Sequence, residues 1–275
     1  MSLKSNIILI PTDFSEACTN AIEHGIELAK NFKSEVYILH VLNKDTKAYL
    51  QKNNRTIDQL QKQLDEMAES IIDEHQVNVR TEIKKGSIFN EINSTAEEIQ
   101  ASLVVLGTHG KKGFQHIFGS HAMRIIMSSE IPVIVVQNRA FGCGYKNIIF
   151  PVNESIEYEQ KVEWACKLAK VFDSNIHVYK YKESDPEISS NISSVSNQIL
   201  STFEFRGVNF VEQSADSEMV YSKQLLDYAV SKSADLILIM TNNDEFEPSF
   251  ILGAPEEKMI YNPSQIPVLC INPYK

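Results

Sequence analysis

Asn6–Ser15 reads NIILIPTDFS and Asn147–Ser155 reads NIIFPVNES. In each copy an apolar run stops at a proline, Pro11 or Pro151, which cannot donate to a further ladder bond. Such a run reads as a short strand, Ile7–Ile10 in the first copy. After the first, Thr12 to Ser15 supply turn and helix-cap chemistry. A strand that hands over at once to a helix is the opening of an α/β unit, and this chain writes that opening twice.

Working outward from Ser15, the residues Ala17, Ala21, Ile22, Gly25, Ile26, Leu28 and Ala29 recur at steps near three and four, the period of one buried helical face. Glu35–Leu42 is apolar on both alternating sets, as a parallel sheet covered by helices requires. Helical spacing returns over Thr56–Glu74, strand-like alternation over Val77–Ile83, and a further helix over Ser87–Ile99. Leu103–Leu106 is a buried strand, Ser120–Ser128 a helix and Pro132–Val136 a last strand. Five strands alternating with four helices predict a right-handed, doubly wound, mostly parallel sheet with helices on both faces.

The order restarts near Lys146. A helical segment over Ser155–Phe172 precedes a strand at Asn175–Tyr181. Leu236–Met240 answers Leu103–Leu106, Gly253 answers Gly119, and IPVLCI at Ile266–Ile271 answers IPVIVV at Ile131–Val136. The Ser- and Asn-rich stretch Ser189–Asn197 keeps rough helical spacing through Ile188, Ile192, Val195, Ile199 and Phe203, and reads as a polar surface helix or a loop. The expected organisation is two tandem domains, residues 1–139 and 145–275, joined through Arg139–Tyr145 with its Gly142 and Gly144.

The 275 residues suit two domains of ordinary size, and 43% hydrophobic against 23% charged residues suits two soluble cores. A formal charge of −10 disfavours a nucleic-acid partner, since such binding rests on clustered Lys and Arg. The apolar run before Pro11 is far short of a signal-peptide core or a spanning helix, so the expected location is cytoplasmic, with no membrane contact. Cys18, Cys143, Cys166 and Cys270 stand far apart, with no CxxC pair, and read as buried small hydrophobes; Cys143, flanked by glycines, is the candidate for exposure.

The stretch with most chemistry is LGTHGKKGFQHIFGS, Leu106–Ser120. Four of the ten glycines, Gly107, Gly110, Gly113 and Gly119, fall within it, at the carboxyl end of a strand, where open parallel sheets hold ligands. Glycines let backbone N–H groups approach phosphates, and a helix opening with Ser120 as its N-cap would add unpaired N–H groups and a positive dipole end. Lys111 and Lys112 could add charge. By glycine content alone these residues could equally serve tight turns, with the lysines a solvated pair; the position after a buried strand favours an anion site.

Taken with ILIPTDFS, the HV that ends the second strand and IPVIVV, this loop resembles those of the universal stress protein family, and the resemblance spans both halves, as in a tandem two-domain member. It implies an adenine nucleotide alpha hydrolase-like fold and an adenine nucleotide as ligand, ATP alone or with Mg²⁺. The family's nucleotide-binding branch carries G-x2-G-x9-G-[ST]; Gly107, Gly110, Gly119 and Ser120 give G-x2-G-x8-G-S, one residue shorter. Carried over, the resemblance implies that Pro11, Thr12, Asp13 and Val41 surround adenine and ribose, that Gly107 and Gly110 line ribose and phosphates, and that Gly119, Ser120 and the His121 backbone hold the phosphates. It further implies that the last strands of the halves pair as an internal pseudo-dimer; a homodimer of chains is a further possibility. Asp13 also has a plain reading as a turn or cap residue.

In the second half Asn153 stands for Asp13, and Thr241, Asn242, Asn243 and Asp244 are aligned with Gly107, Thr108, His109 and Gly110. Ala254-Pro255 replaces Ser120-His121, removing a hydroxyl and a backbone donor. Asp244, Glu245 and Glu247 add negative charge, so this half is expected not to bind ATP. His109, His116 and His121 match no metal-ligand spacing, and His40 and His177 read as equivalent structural residues. No G-x-S-x-G elbow, P-loop, H-E-x-x-H or paired carboxylate appears, so no catalytic residue is nominated, although slow hydrolysis of a bound nucleotide stays open. The expected function is a stress-response regulator that binds ATP in its first half and acts through an unidentified protein partner. The alternatives are a nucleotide-free interaction module of the same fold and a pocket for another small ligand.

Overall fold

The computed structural model of the chain describes residues 6–108, 118–153, 159–216, 220–241 and 255–273. These fall into two compact units, Met1–Phe141 and Gly142–Lys275.

Unit 1 runs β1 (Ile7–Pro11), α1 (Glu16–Phe32), β2 (Glu35–Leu42), α2 (Lys44–Lys52), α3 (Ile57–His75), β3 (Val79–Lys85), α4 (Ile88–Glu98), β4 (Leu103–Gly107), α5 (Phe118–Ser128) and β5 (Val133–Val136). Its strands lie in the order β3-β2-β1-β4-β5, every pairing parallel. The chain reverses direction across the sheet between β1 and β4, so this is the topological switch point where such folds open a crevice. Ile8, Leu9 and Ile10 of β1 and Val104 and Val105 of β4 are wholly buried. That burial on both faces explains why these strands read as unbroken apolar runs rather than as alternation.

The helix ends show why the chain turns where it does. Ser15 caps α1 by accepting from Cys18 N, and Lys33 closes the helix in the left-handed conformation. Thr56 and Gln59 form a reciprocal capping box on α3. The close approach of α1 to β1 depends on Gly25, where a Cβ would stand 2.2 Å from Ile10 Cδ1.

Unit 2 runs β6 (Asn147–Val152), α6 (Glu159–Phe172), β7 (Asn175–Lys180), α7 (Pro186–Arg206), β8 (Asn209–Ser214), α8 (Tyr221–Ser231), β9 (Leu236–Met240), α9 (Pro255–Ile260) and β10 (Val268–Ile271). The strand order is β8-β7-β6-β9-β10, again parallel throughout. The Ser- and Asn-rich stretch lies inside a 21-residue helix, α7. Its boundaries are set by Asp185 as N-cap, Pro186 in the first turn and Gly207 at φ 68° after the last.

The first unit holds one helix more than the sequence pattern predicts, because α2 intervenes before α3, and β8 and α8 of the second were not predicted. The helix expected to open at Ser120 begins at Phe118, so Ser120 is not the N-cap but sits within the first turn. Cys18, Cys166 and Cys270 are buried and Cys143 is exposed. Among the described residues no helix is long and apolar enough to cross a membrane, and no group of three His, Cys, Asp or Glu could hold a metal ion.

Candidate functional site

The carboxyl ends of β1, β2 and β4 in unit 1 open into a cleft of about 360 Å³, within the range of small-ligand sites. Pro11, Thr12, Asp13, Val41 and Gly107 all line it. Gly119, Ser120 and His121 lie in the first turns of α5, whose Ala122 and Ile125 reach the same cleft. The first-turn N–H groups of a helix have no partner within it, so the backbone of Gly119 and Ser120 keeps its donor role although Ser120 is not the cap. Gly110, Gly113, Lys111, Lys112, His109 and His116 lie outside the described residues.

The turn after β1 is built from side chains. Thr12 Oγ1 accepts from Phe14 N at 3.1 Å and Asp13 Oδ1 accepts from Ser15 N at 2.9 Å. Asp13 is thus first a turn residue, one that presents a carboxyl group at the cleft wall. Between the two bonds Phe14 takes φ 63°, a left-handed conformation uncommon for an aromatic residue. The turn carries it to one wall of the cleft, against the Leu42, Leu50 and Leu60 cluster.

The ladder between β1 and β2 ends with Thr12 N–H donating to Leu39 O at 2.8 Å. Odd-numbered residues of β2 turn their N–H groups toward β1, as Glu35 does to Asn6 O, and even-numbered ones toward β3, as Val36 does to Asn78 O. Val41 N–H therefore faces the side from which β1 has already turned away. Among the described residues no bond closes from it to Thr12 O, which accepts instead from His40 Nδ1 at 2.8 Å. In unit 2 the matching bond is made, Tyr181 N–H to Val152 O at 2.8 Å. A main-chain donor beside a largely apolar wall is a feature suited to the edge of a planar heterocycle.

Gly107 serves packing. A Cβ there would lie 2.6 Å from Ala17 O and 2.8 Å from Cys18 Cα, both backbone atoms of α1. Its missing side chain lets β4 meet the first turn of α1 at the floor of the cleft. Burial pushes the Cys18 thiol up to about 12, and burial lowers the His40 imidazole below its ordinary value.

Sequence reasoning missed one part of the wall. Asn43 just before α2, Asp45 and Thr46 in its first turn, Arg55 in the turn between α2 and α3, and Gln63 of α3 also line the cleft, and Arg55 Nη2 donates to Gln63 Oε1 at 2.9 Å. The only trace of this wall in the sequence is the apolar group Ala48, Tyr49 and Leu50 within KDTKAYLQK, too short to show a period.

The universal stress protein family model matches residues 4–137. A universal stress protein of Methanocaldococcus jannaschii is 36% identical over 137 residues, which cover 47% of this chain and 81% of that relative. The chain belongs to the universal stress protein family. Universal stress protein G of Escherichia coli O157:H7 is 27% identical over 139 residues, 47% of this chain and 97% of its own. The crystal structure of a universal stress protein from Archaeoglobus fulgidus DSM 4304 matches with a TM-score of 0.77 at 19% identity, covering 98% of this chain and 99% of that one. At that identity the likeness bears on fold alone.

Within this universal stress protein the strand registers correct two equivalences between the units. Pro11 pairs with Leu39 and Pro151 with Tyr179, so His40 corresponds to Lys180 and His177 to Tyr37; the two histidines are not equivalent. Gly107 pairs with Val136 and Met240 with Ile271, while Thr108 N–H bonds Val136 O as Thr241 N–H bonds Ile271 O. Met240, not Thr241, therefore stands where Gly107 stands. Asn153 does follow Pro151 by two residues, as Asp13 follows Pro11.

Proposed function

We propose that unit 1 binds an adenine nucleotide, ATP with or without Mg²⁺, and that the protein acts as a stress-response regulator with no dedicated catalysis. One observation carries this reading. The cleft at the switch point is lined by Pro11, Leu39 and Val41, whose N–H makes no ladder bond to Thr12 O, and by Ala122 and Ile125 of α5, a helix whose first-turn N–H groups have no partner within the helix and so favour phosphate. Asp13, on the same wall, suits a ribose hydroxyl. Unit 2 lacks the open edge and carries Met240 where unit 1 has Gly107, so one nucleotide per chain is expected.

The Cys18 thiol lies beside the Asp13 carboxylate in the cleft, and burial first, then that negative charge, raise its pKa. Cys18 is held as the thiol, and the role left to the protein is a conformation or partner choice that depends on occupancy. Calorimetric titration of nucleotide-free protein with ATP and Mg²⁺ tests the reading, beside a Gly119→Glu, Ser120→Glu variant. Binding near one site per chain, lost in the variant, is the expected result. No heat and no thermal shift at millimolar ATP would remove the nucleotide and leave an interaction module of the same fold.

A further inference from the structure

We propose that His40 Nε2 is a specificity-determining acceptor in the unit 1 cleft, taking a hydrogen bond from an N–H or O–H donor on the nucleoside half of the ligand. This deepens the nucleotide reading above and rests on it.

The argument begins with the tautomer. His40 Nδ1 lies 2.8 Å from Thr12 O, and a carbonyl oxygen offers only lone pairs, so Nδ1 must carry the proton. A neutral imidazole has one N–H, which leaves Nε2 as a bare lone pair, and burial keeps the ring neutral. His40 is 4% exposed, and its Nε2 is buried with no hydrogen-bond partner. Leaving such an acceptor unsatisfied costs about 1–3 kcal/mol, a cost that folded proteins rarely keep without a use.

His40 is one of the residues lining the cleft, and its ring centroid lies 5.3 Å from that of Phe14, another lining residue. Thr12 Oγ1 is already engaged by Phe14 N and Asp13 Oδ1 by Ser15 N. His40 Nε2 is a buried side-chain acceptor that takes no bond from the turn, distinct from the Asp13 carboxylate. What it can recognise follows from its chemistry. A triphosphate is almost wholly an acceptor at neutral pH and gives Nε2 nothing, whereas the exocyclic amine of a 6-aminopurine and a ribose hydroxyl are donors. The residue thus discriminates at the nucleoside end, while the α5 turn holds the phosphate end.

His40→Asn is the informative variant, because the Asn amide can keep a donor toward Thr12 O while removing the acceptor at Nε2. The full chain and this variant would be titrated with adenosine, inosine, 2′-deoxyadenosine, ATP and tripolyphosphate. Adenosine and ATP should bind the variant about three- to tenfold more weakly, the range for one hydrogen bond, with tripolyphosphate unchanged. Inosine or 2′-deoxyadenosine, whichever lacks the donor, should bind the wild type weakly and be indifferent to the substitution. In parallel, ¹⁵N NMR of the ring should show the Nδ1–H tautomer in the free protein and a shift of Nε2 on adding adenosine. Wild-type binding of ATP with equal adenosine affinity in the variant would overturn the proposal and leave the nucleotide reading standing. A matched loss for adenosine and tripolyphosphate would also overturn it, since that marks a loss of cleft shape. A wild type that binds none of the probes would overturn both.

Discussion

The hydroxyl of Tyr221 donates a hydrogen bond of 2.9 Å to the carbonyl oxygen of Tyr179. Tyr179 pairs with Pro151 as Leu39 pairs with Pro11, and Tyr221 opens α8 as Ile88 opens α4. Leu39 and Ile88 line the unit 1 cleft, so in unit 2 two tyrosines stand at cleft positions and stack on each other, ring centroids 5.8 Å apart. Tyr181, at the place of Val41, meets Tyr221 edge-on at 5.1 Å. Aromatic rings thus stand where unit 1 has the smaller cleft residues Leu39, Val41 and Ile88. Restoring polar chemistry alone should therefore not restore a site. Asn153→Asp is expected to leave calorimetric stoichiometry at one ATP per chain; a second binding event in that variant would contradict the filled-cleft account.

Gly107→Ala tests the floor of the cleft. The added methyl would meet the backbone of α1 at 2.6–2.8 Å, and neither partner is a flexible side-chain end that could swing aside. Overpacking of this kind costs about 1–3 kcal/mol. The variant should show a lowered melting transition by circular dichroism and weakened ATP binding, because the clash falls where β4 and α1 bound the cleft. An unchanged transition would mean that β4 and α1 separate easily, and Gly107 would then be there for the ligand rather than for packing.

Acid should destabilise the protein through its buried histidines. Burial lowers His24 to about 4, and its Nε2 lies 3.0 Å from Arg139 O with the Phe141 ring edge-on at 5.1 Å. The folded state keeps this ring neutral while the unfolded chain protonates it near 6.5, so the unfolded state binds more protons between those values and stability falls as pH drops from about 6.5 to 4. A shift of this size amounts to roughly 3 kcal/mol. His24→Gln keeps a donor toward Arg139 O without a titrating ring, and in urea titrations at pH 7.5 and 4.5 it should lose distinctly less stability than the wild type. Equal losses would place the acid sensitivity elsewhere, His40 and His177 being the next groups that burial holds below their ordinary value.

The strands around the switch point were legible because burial on both faces leaves an unmistakable apolar run: Ile8, Leu9 and Ile10 could be little else. Helices with a long buried stripe, such as α1, were legible for the same reason. What stayed hidden were elements whose sequence carries little hydrophobic signal. All but one of the residues of β8 are exposed, and α2 contributes only Leu50 to a buried cluster, yet α2 brings Asp45 and Thr46 to the cleft. Pro11, Thr12, Asp13 and Val41, named from the family resemblance, line the cleft, but the missing ladder bond at Val41 and the bare Nε2 of His40 were not legible. Both depend on ladder register and on a side chain capturing a carbonyl, facts that exist only once the strands are paired.

Lys161 gives a pH dependence of the same sign in an alkaline window, in unit 2. Its ammonium is buried, donates to Pro151 O at 2.5 Å and sits 4.3 Å from the centre of the Phe150 ring, and burial lowers its pKa to about 7. The unfolded chain holds the proton up to about 10.5, so between those values the unfolded state binds more protons and unit 2 should gain stability as pH rises from about 7 to 10.5. Replacement by Met sets two costs against each other. Losing the donor leaves Pro151 O short of a partner, about 1–3 kcal/mol, whereas a buried amine displaced this far carries roughly 4–5 kcal/mol of unfavourable desolvation. The second is larger, so Lys161→Met should stabilise unit 2 at pH 7 and flatten its alkaline slope. Trp164, the single tryptophan of the chain, lies on the same helix, and its fluorescence follows this unit during denaturation. If the Met variant unfolds earlier than the wild type at pH 7, the bonds of Lys161 to Pro151 and Phe150 outweigh its desolvation, and the lysine is a structural cation rather than a buried liability.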